Sequence, residues 1–100
     1  MSRVRIKVQD EQIGDFCRRH HISRLALFGS VLRDDFTPAS DIDVLVEFEP
    51  GHTPGLDFFA MEAELSEILG RSVDLNTPGF LSSAIRNHAL AEAEVHYVSP

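Results

Sequence analysis

Apolar residues recur along this chain in two rhythms, one near every third or fourth position and one at every second, and the two take turns. Between Asp10 and His20, the residues Ile13, Phe16 and Cys17 stand at helical spacing. Gly14 lies in the same stretch and weakens the helix without excluding it. Leu25-Ala26-Leu27-Phe28 is a short apolar run that reads as a buried strand and stops at Gly29-Ser30. Val31-Leu32-Arg33 reads as one helical turn, and the stretch to Ser40, with Pro38 inside it, as a loop. From Asp41 to Phe48 the period is two. Asp41, Asp43, Leu45 and Glu47 share one face of this strand, and Ile42, Val44, Val46 and Phe48 the other.

Pro50, Gly51, Pro54 and Gly55 mark another loop. Phe58, Met61, Leu65, Ile68 and Leu69 then form a helical stripe from about Asp57, ended by Gly70 as a C-terminal cap. Ser72 to Leu75 reads as a short strand. Thr77-Pro78 opens a helix in which Leu81, Ala84, Ile85 and Ala89 share a face, and Val95 to Val98 is the last strand. Alternating helices and strands predict an α/β fold: a mixed sheet of about four strands flanked by helices. The link from Phe28 to Asp41 is shorter than a parallel crossover needs, so the first two strands are expected to be antiparallel. Repeats, low-complexity tracts and linkers are absent from the sequence, and its 100 residues are expected to form one domain spanning 1–100.

Composition changes this picture little. Hydrophobic residues make up 43% of the chain, enough for one modest core. Sixteen acidic against nine basic residues give a net charge of −7, which disfavours direct capture of nucleic acid through its phosphates. A nucleotide held through a metal ion, or a basic protein surface, remains compatible with that charge. No stretch approaches the roughly 18 consecutive apolar residues of a membrane helix. The single Cys17 rules out an internal disulfide. A cytoplasmic protein is the expectation.

Three features carry candidate chemistry. Gly29-Ser30 lies between a strand and a helical turn, where the backbone can approach a ligand closely and a hydroxyl stands beside free N–H groups, an arrangement suited to phosphate. Asp41 and Asp43, two apart on a strand, direct both carboxylates to one face. Magnesium is commonly held by one or two carboxylates together with substrate phosphates, and two such ions about 3.5–4 Å apart can serve an in-line displacement. Asp74 sits inside an apolar strand, flanked by Val73 and Leu75, where aspartate is a poor residue unless it is used. A third strand paired beside the second would let Asp74 complete a carboxylate triad, as a metal ligand or as the base that deprotonates an attacking hydroxyl. Each feature alone has a plainer reading: a capped turn for Gly29-Ser30, a turn residue for Asp41, an exposed edge position for Asp74. Their conjunction, with ten residues between Ser30 and Asp41, favours a phosphate-and-metal site.

These residues resemble a known family. Phe28-Gly29-Ser30-Val31-Leu32-Arg33-Asp34, followed by Ser40-Asp41-Ile42-Asp43-Val44-Leu45-Val46, is similar to the motif of the minimal nucleotidyltransferases of the DNA polymerase β-like superfamily. The resemblance runs from about Ile22 to Tyr97. The small size and the Val73-Asp74-Leu75 segment resemble the antitoxin half of HEPN–MNT toxin–antitoxin pairs. The resemblance implies a single-domain nucleotidyltransferase fold and Mg2+-dependent transfer of AMP from ATP to a hydroxyl, a tyrosine of a HEPN ribonuclease toxin. It implies that Gly29 and Ser30 hold the triphosphate and that Asp41, Asp43 and Asp74 ligate metal. Arg33 matches a basic residue of the motif; it either binds phosphate or forms a structural ion pair with Asp34, Asp35 or Asp41. Many relatives carry glycine after that arginine, where this chain has Asp34. Two alternatives remain: an antitoxin that acts by stoichiometric binding alone, and transfer to a small-molecule acceptor.

The remaining reactive side chains are read as structural. The histidines lack metal-ligand spacing, and His20-His21 ends the first helix, where positive charge suits the helix dipole. Cys17 is expected in the core and Tyr97 as a packing residue. Of the adjacent Phe58 and Phe59, one faces away from the core.

Overall fold

The computed structural model of the chain describes residues 6–33, 36–37, 39–80 and 82–100, apart from the side chains of Phe80, Ile85 and Arg86. In chain order the elements are helix α1 (Asp10–Arg19), strand β1 (Ile22–Phe28), a 3-10 turn (Gly29–Leu32) and strand β2 (Ile42–Phe48). Helix α2 (Asp57–Leu69), strand β3 (Val73–Asn76), a second 3-10 turn (Pro78–Phe80), helix α3 (Ser83–Glu92) and strand β4 (Glu94–Val98) follow. The four strands form one sheet in the order β3-β2-β1-β4. β1 pairs antiparallel with both β2 and β4, and β2 pairs parallel with β3 through the α2 crossover. The expected mixed α/β sheet is therefore present, with its first two strands antiparallel.

Alternation along the strands divides the sheet into two unlike faces. Ile42, Val44 and Val46 of β2, Val73 and Leu75 of β3, and Ile22, Leu25 and Leu27 of β1 enter the main core. Ile13, Phe16 and Cys17 of α1 and Phe58, Met61, Leu65 and Leu69 of α2 cover them from one side. The opposite face carries Phe28, Leu45 and Ala89, a second, smaller apolar cluster in which α3 meets the sheet. Cys17 is buried, and burial pushes its thiol up to about 12, so it is packing rather than chemistry. Phe58 lies in the core at 8% exposure while Phe59 is 69% exposed, which resolves the adjacent pair.

Helix ends follow local chemistry. Gly70 takes φ +70° and closes α2 in the left-handed conformation that glycine reaches without penalty. β3 is an edge strand, and α2 covers its outward amides: Val73 N–H donates to Ser66 Oγ at 3.1 Å and Leu75 N–H to Glu62 Oε2 at 2.8 Å. These contacts deny a foreign strand the unpaired edge.

Three boundaries differ from the sequence reading. β1 begins at Ile22, three residues before the apolar run, because Ser23 and Arg24 sit at a register irregularity opposite β2 and still belong to the ladder. Asp41 lies just ahead of β2 rather than inside it. Thr77-Pro78 does not open α3; Pro78-Gly79 instead makes the 3-10 turn, and the helix begins at Ser83. Of the face expected on that helix, Ala89 is buried and Ala84 is exposed, Leu81 lies outside the described residues, and Ile85 lies outside the described side chains.

Candidate active site

Strand pairing brings the acidic residues together. Asp43 is the register partner of Phe28 on one side and of Asp74 on the other, so it stands in the middle of three adjacent strands. Neighbouring strands lie about 4.8 Å apart, which sets the spacing of the two aspartates at the backbone. Val73 and Leu75 point into the main core, so alternation sends Asp74 to the opposite face, beside Asp43. Asp74 is also an exposed residue on an edge strand; the plain reading and the functional one describe the same position. Asp41 precedes β2 and is exposed, while Asp43 is half-buried.

Burial, with Asp74 and then Asp41 as like-charged neighbours, raises Asp43 to about 6. A carboxylate cluster that resists full ionisation has a strong electrostatic use for a cation. Among the described residues, no group of three His, Cys, Asp or Glu side chains converges as a ready-made metal cage. The donor set nevertheless suits a hard divalent ion, since magnesium needs only one or two carboxylates when substrate phosphates and water supply the rest.

Gly29 is fixed by contact with this cluster. Its φ is +77°, and a Cβ at that position would overlap Asp43 Oδ2 and stand 3.2 Å from Asp43 Cγ. Glycine therefore serves both the turn geometry and the close approach of backbone to carboxylate. Ser30 follows in the same turn, half-buried, and its carbonyl accepts the Arg33 N–H at 2.9 Å. Contact and register thus bring Gly29, Asp43 and Asp74 together, with Asp41 near enough for its charge to act on Asp43 and Ser30 in the adjoining turn.

Arg33 stands at the edge of that face with an unexpected partner. Its Nη1 donates to both oxygens of Glu92, at 3.2 and 3.1 Å. Asp34 and Asp35 lie outside the described residues. Glu92 also accepts the Gly29 N–H at 3.0 Å. Sequence reading missed Glu92 because nothing local marks it: it ends an ordinary helix and reaches the site only through the fold. A shallow cavity of about 320 Å³ adjoins Asp41, lined by Ser40, Gly70, Arg71 and Ser72. A wider cleft of about 950 Å³ lies between α1 and α2, bordered by Asp15, Arg19 and Glu64, on the face of the sheet away from the acidic cluster.

Comparison with known proteins bears on this arrangement. The model of a family described as nucleotidyltransferase domain matches residues 10–96. A Thermococcus cleftensis protein named protein adenylyltransferase MntA is 36% identical over 75 residues, covering 74% of each chain. A solved structure provisionally described as a minimal nucleotidyltransferase superposes with TM-score 0.71 at 36% identity, covering 85% of this chain and 86% of that one. The MNT antitoxin of Shewanella oneidensis, solved in complex with its tri-AMPylated HEPN toxin, shares the fold at TM-score 0.66 and 18% identity, covering 90% and 70% of the two chains.

Proposed function

The chain belongs to the nucleotidyltransferase domain family, and on that premise we propose that it is an antitoxin that transfers AMP from ATP to a tyrosine hydroxyl of a HEPN ribonuclease toxin. One observation carries the chemistry: Asp43 lies directly across from Asp74 and against the Gly29 backbone, so carboxylates and a phosphate-accepting turn face the same volume. The partner comes from likeness, since a protein of this fold is found with an AMPylated HEPN toxin, and a relative at 36% identity bears the adenylyltransferase name.

In this reading Gly29 and Ser30 seat the triphosphate at the turn, and Arg33 contributes positive charge at its flank. Asp41 and Asp43 would hold magnesium, with Asp74 as the register partner of Asp43. Magnesium, when bound, offsets the charge of the triphosphate and polarises the phosphoryl oxygens. Asp74, the most exposed of the strand carboxylates, takes the proton of the acceptor hydroxyl. The hydroxyl oxygen bonds to the α-phosphorus as the bond to the departing oxygen breaks, and pyrophosphate leaves in line. Asp43 must be ionised to take part, so its raised affinity for protons competes with metal loading.

The decisive experiment is mass spectrometry of a HEPN partner co-expressed with the chain. A mass increase of one or more AMP units, lost in Asp41→Asn and Asp43→Asn variants that remain folded, supports transfer. An unmodified yet inhibited partner would instead establish stoichiometric binding, and full modification by the double variant would sink the assignment of the aspartates.

A further inference from the structure

A single carboxylate ties together the two ends of the Gly29–Leu32 turn. Glu92, the last residue of α3, accepts the N–H of Gly29, the turn's first residue, at 3.0 Å. It also accepts from Nη1 of Arg33, the residue that caps the turn, at 3.2 and 3.1 Å. A four-residue 3-10 turn has few internal hydrogen bonds, and those have poor geometry. The bond from Arg33 N–H to Ser30 carbonyl at 2.9 Å is one of them. The direction in which such a turn points must be set from outside, and Glu92 sets it from 59 and 63 residues away.

The helix that presents Glu92 is itself anchored. Ala89, one turn earlier, is 1% exposed and packs with Phe28 and Leu45, and the Ala93 N–H returns to the Ala89 carbonyl at 2.9 Å. Phe28 is the residue before Gly29, so the same helix grips both the strand end and the turn that leaves it. Electrostatics alone would not put another carboxylate here, since Asp41, Asp43 and Asp74 already crowd this face with negative charge. The Gly29 amide and the Arg33 guanidinium are what hold it, by charge-assisted hydrogen bonds.

We propose that Glu92 is a positioning residue for nucleotide binding: by holding the Gly29 N–H and Nη1 of Arg33 it fixes the turn, so that Ser30 and the rest of the Arg33 guanidinium meet the triphosphate over the acidic cluster. The proposal rests on the nucleotidyl-transfer reading and extends it to a residue outside the aspartate cluster. Glu92→Gln tests it, because glutamine keeps the length and an oxygen for the Gly29 N–H while removing the charge that draws Arg33.

The expected result is faster amide hydrogen exchange from Gly29 to Arg33 and a KM for ATP raised about tenfold, the scale of one weakened charge-assisted bond. A kcat within about twofold is expected beside it, the split that marks lost binding rather than lost chemistry. Unchanged exchange in a folded variant overturns the proposal. So does an unchanged KM, and so does a lowered KM, which would mean that Glu92 competes with phosphate instead of preparing its seat. Binding of a non-hydrolysable ATP analogue with magnesium to the unsubstituted chain separates the two levels. Its absence removes the nucleotidyl-transfer reading and the role of Glu92 with it, whereas equal binding by both chains removes the role of Glu92 alone.

Discussion

Gly29 is the residue at which fold and chemistry are least separable. Its positive φ and its closeness to the Asp43 carboxylate leave no room for a side chain. Gly29→Ala is expected to lower stability by about 1–3 kcal/mol, from left-handed strain together with the forced retreat of Asp43. Thermal melts of the single variants and of Gly29→Ala/Asp43→Ala check this: the double variant should lose less than the sum, because the collision partner is gone. Asp43 makes a second prediction. Its folded value of about 6 stands above the ordinary carboxyl value of 3.8, so between those values the folded protein binds the extra proton. By linkage, stability must then fall as pH rises through that window. In chelator the Tm should be higher near pH 5 than near pH 7, and Asp43→Asn should remove that part of the slope. Magnesium affinity should run the other way, weaker at pH 5, because proton and metal compete for one carboxylate. Gly29, Ser30, Asp41 and Asp43 could be singled out as candidates in the sequence because their spacing on a turn and a strand is a local matter, whereas Asp74 depended on β3 pairing beside β2. Glu92 could not be: one more acidic residue in an acidic chain, its use depends on a meeting of distant segments.

At the scale of elements, the paired strands carry the site and α2 keeps its outer strand in place. Glu62 and Ser66 accept the amides of Leu75 and Val73 along the open side of β3. Glu62→Ala should leave the Leu75 amide exposed, costing about 1–2 kcal/mol and speeding its hydrogen exchange. Transfer activity should fall with it if Asp74 is the base, since β3 is what holds Asp74 opposite Asp43. Periodicity read the strands and α2 well, because one face of each meets a continuous core and the pattern is strict there. It read α3 less well. The 3-10 turn at Pro78–Phe80 takes up residues that helical spacing would also have accepted, and α3 packs on the sheet through the small side chain of Ala89. The irregularity between Ile22 and Arg24 hid the start of β1 for a related reason: a break in the ladder disturbs the alternation from which strands are recognised.

Across the whole molecule, among the described residues, the main core lies behind the sheet face that carries the acidic cluster. Leu65 is fully buried where α2 packs on the main core, and Leu65→Ala is expected to cost about 2–5 kcal/mol. That is a large share of the roughly 5–15 kcal/mol that holds a domain folded, and denaturant titration would read it directly. No helix among the described residues is long and apolar enough to cross a membrane. The strict alternation of β2 and β3 has a further consequence for how such a protein can change. Asp43 lies between Ile42 and Val44 in sequence, and Asp74 between Val73 and Leu75, four neighbours that all sit in the core. A methyl group added or removed behind the sheet therefore tilts a carboxylate in front of it. Variation that refits the interior becomes a fine adjustment of how these two carboxylates face each other. Selection for a firmer core and selection for a faster enzyme would act on the same few codons.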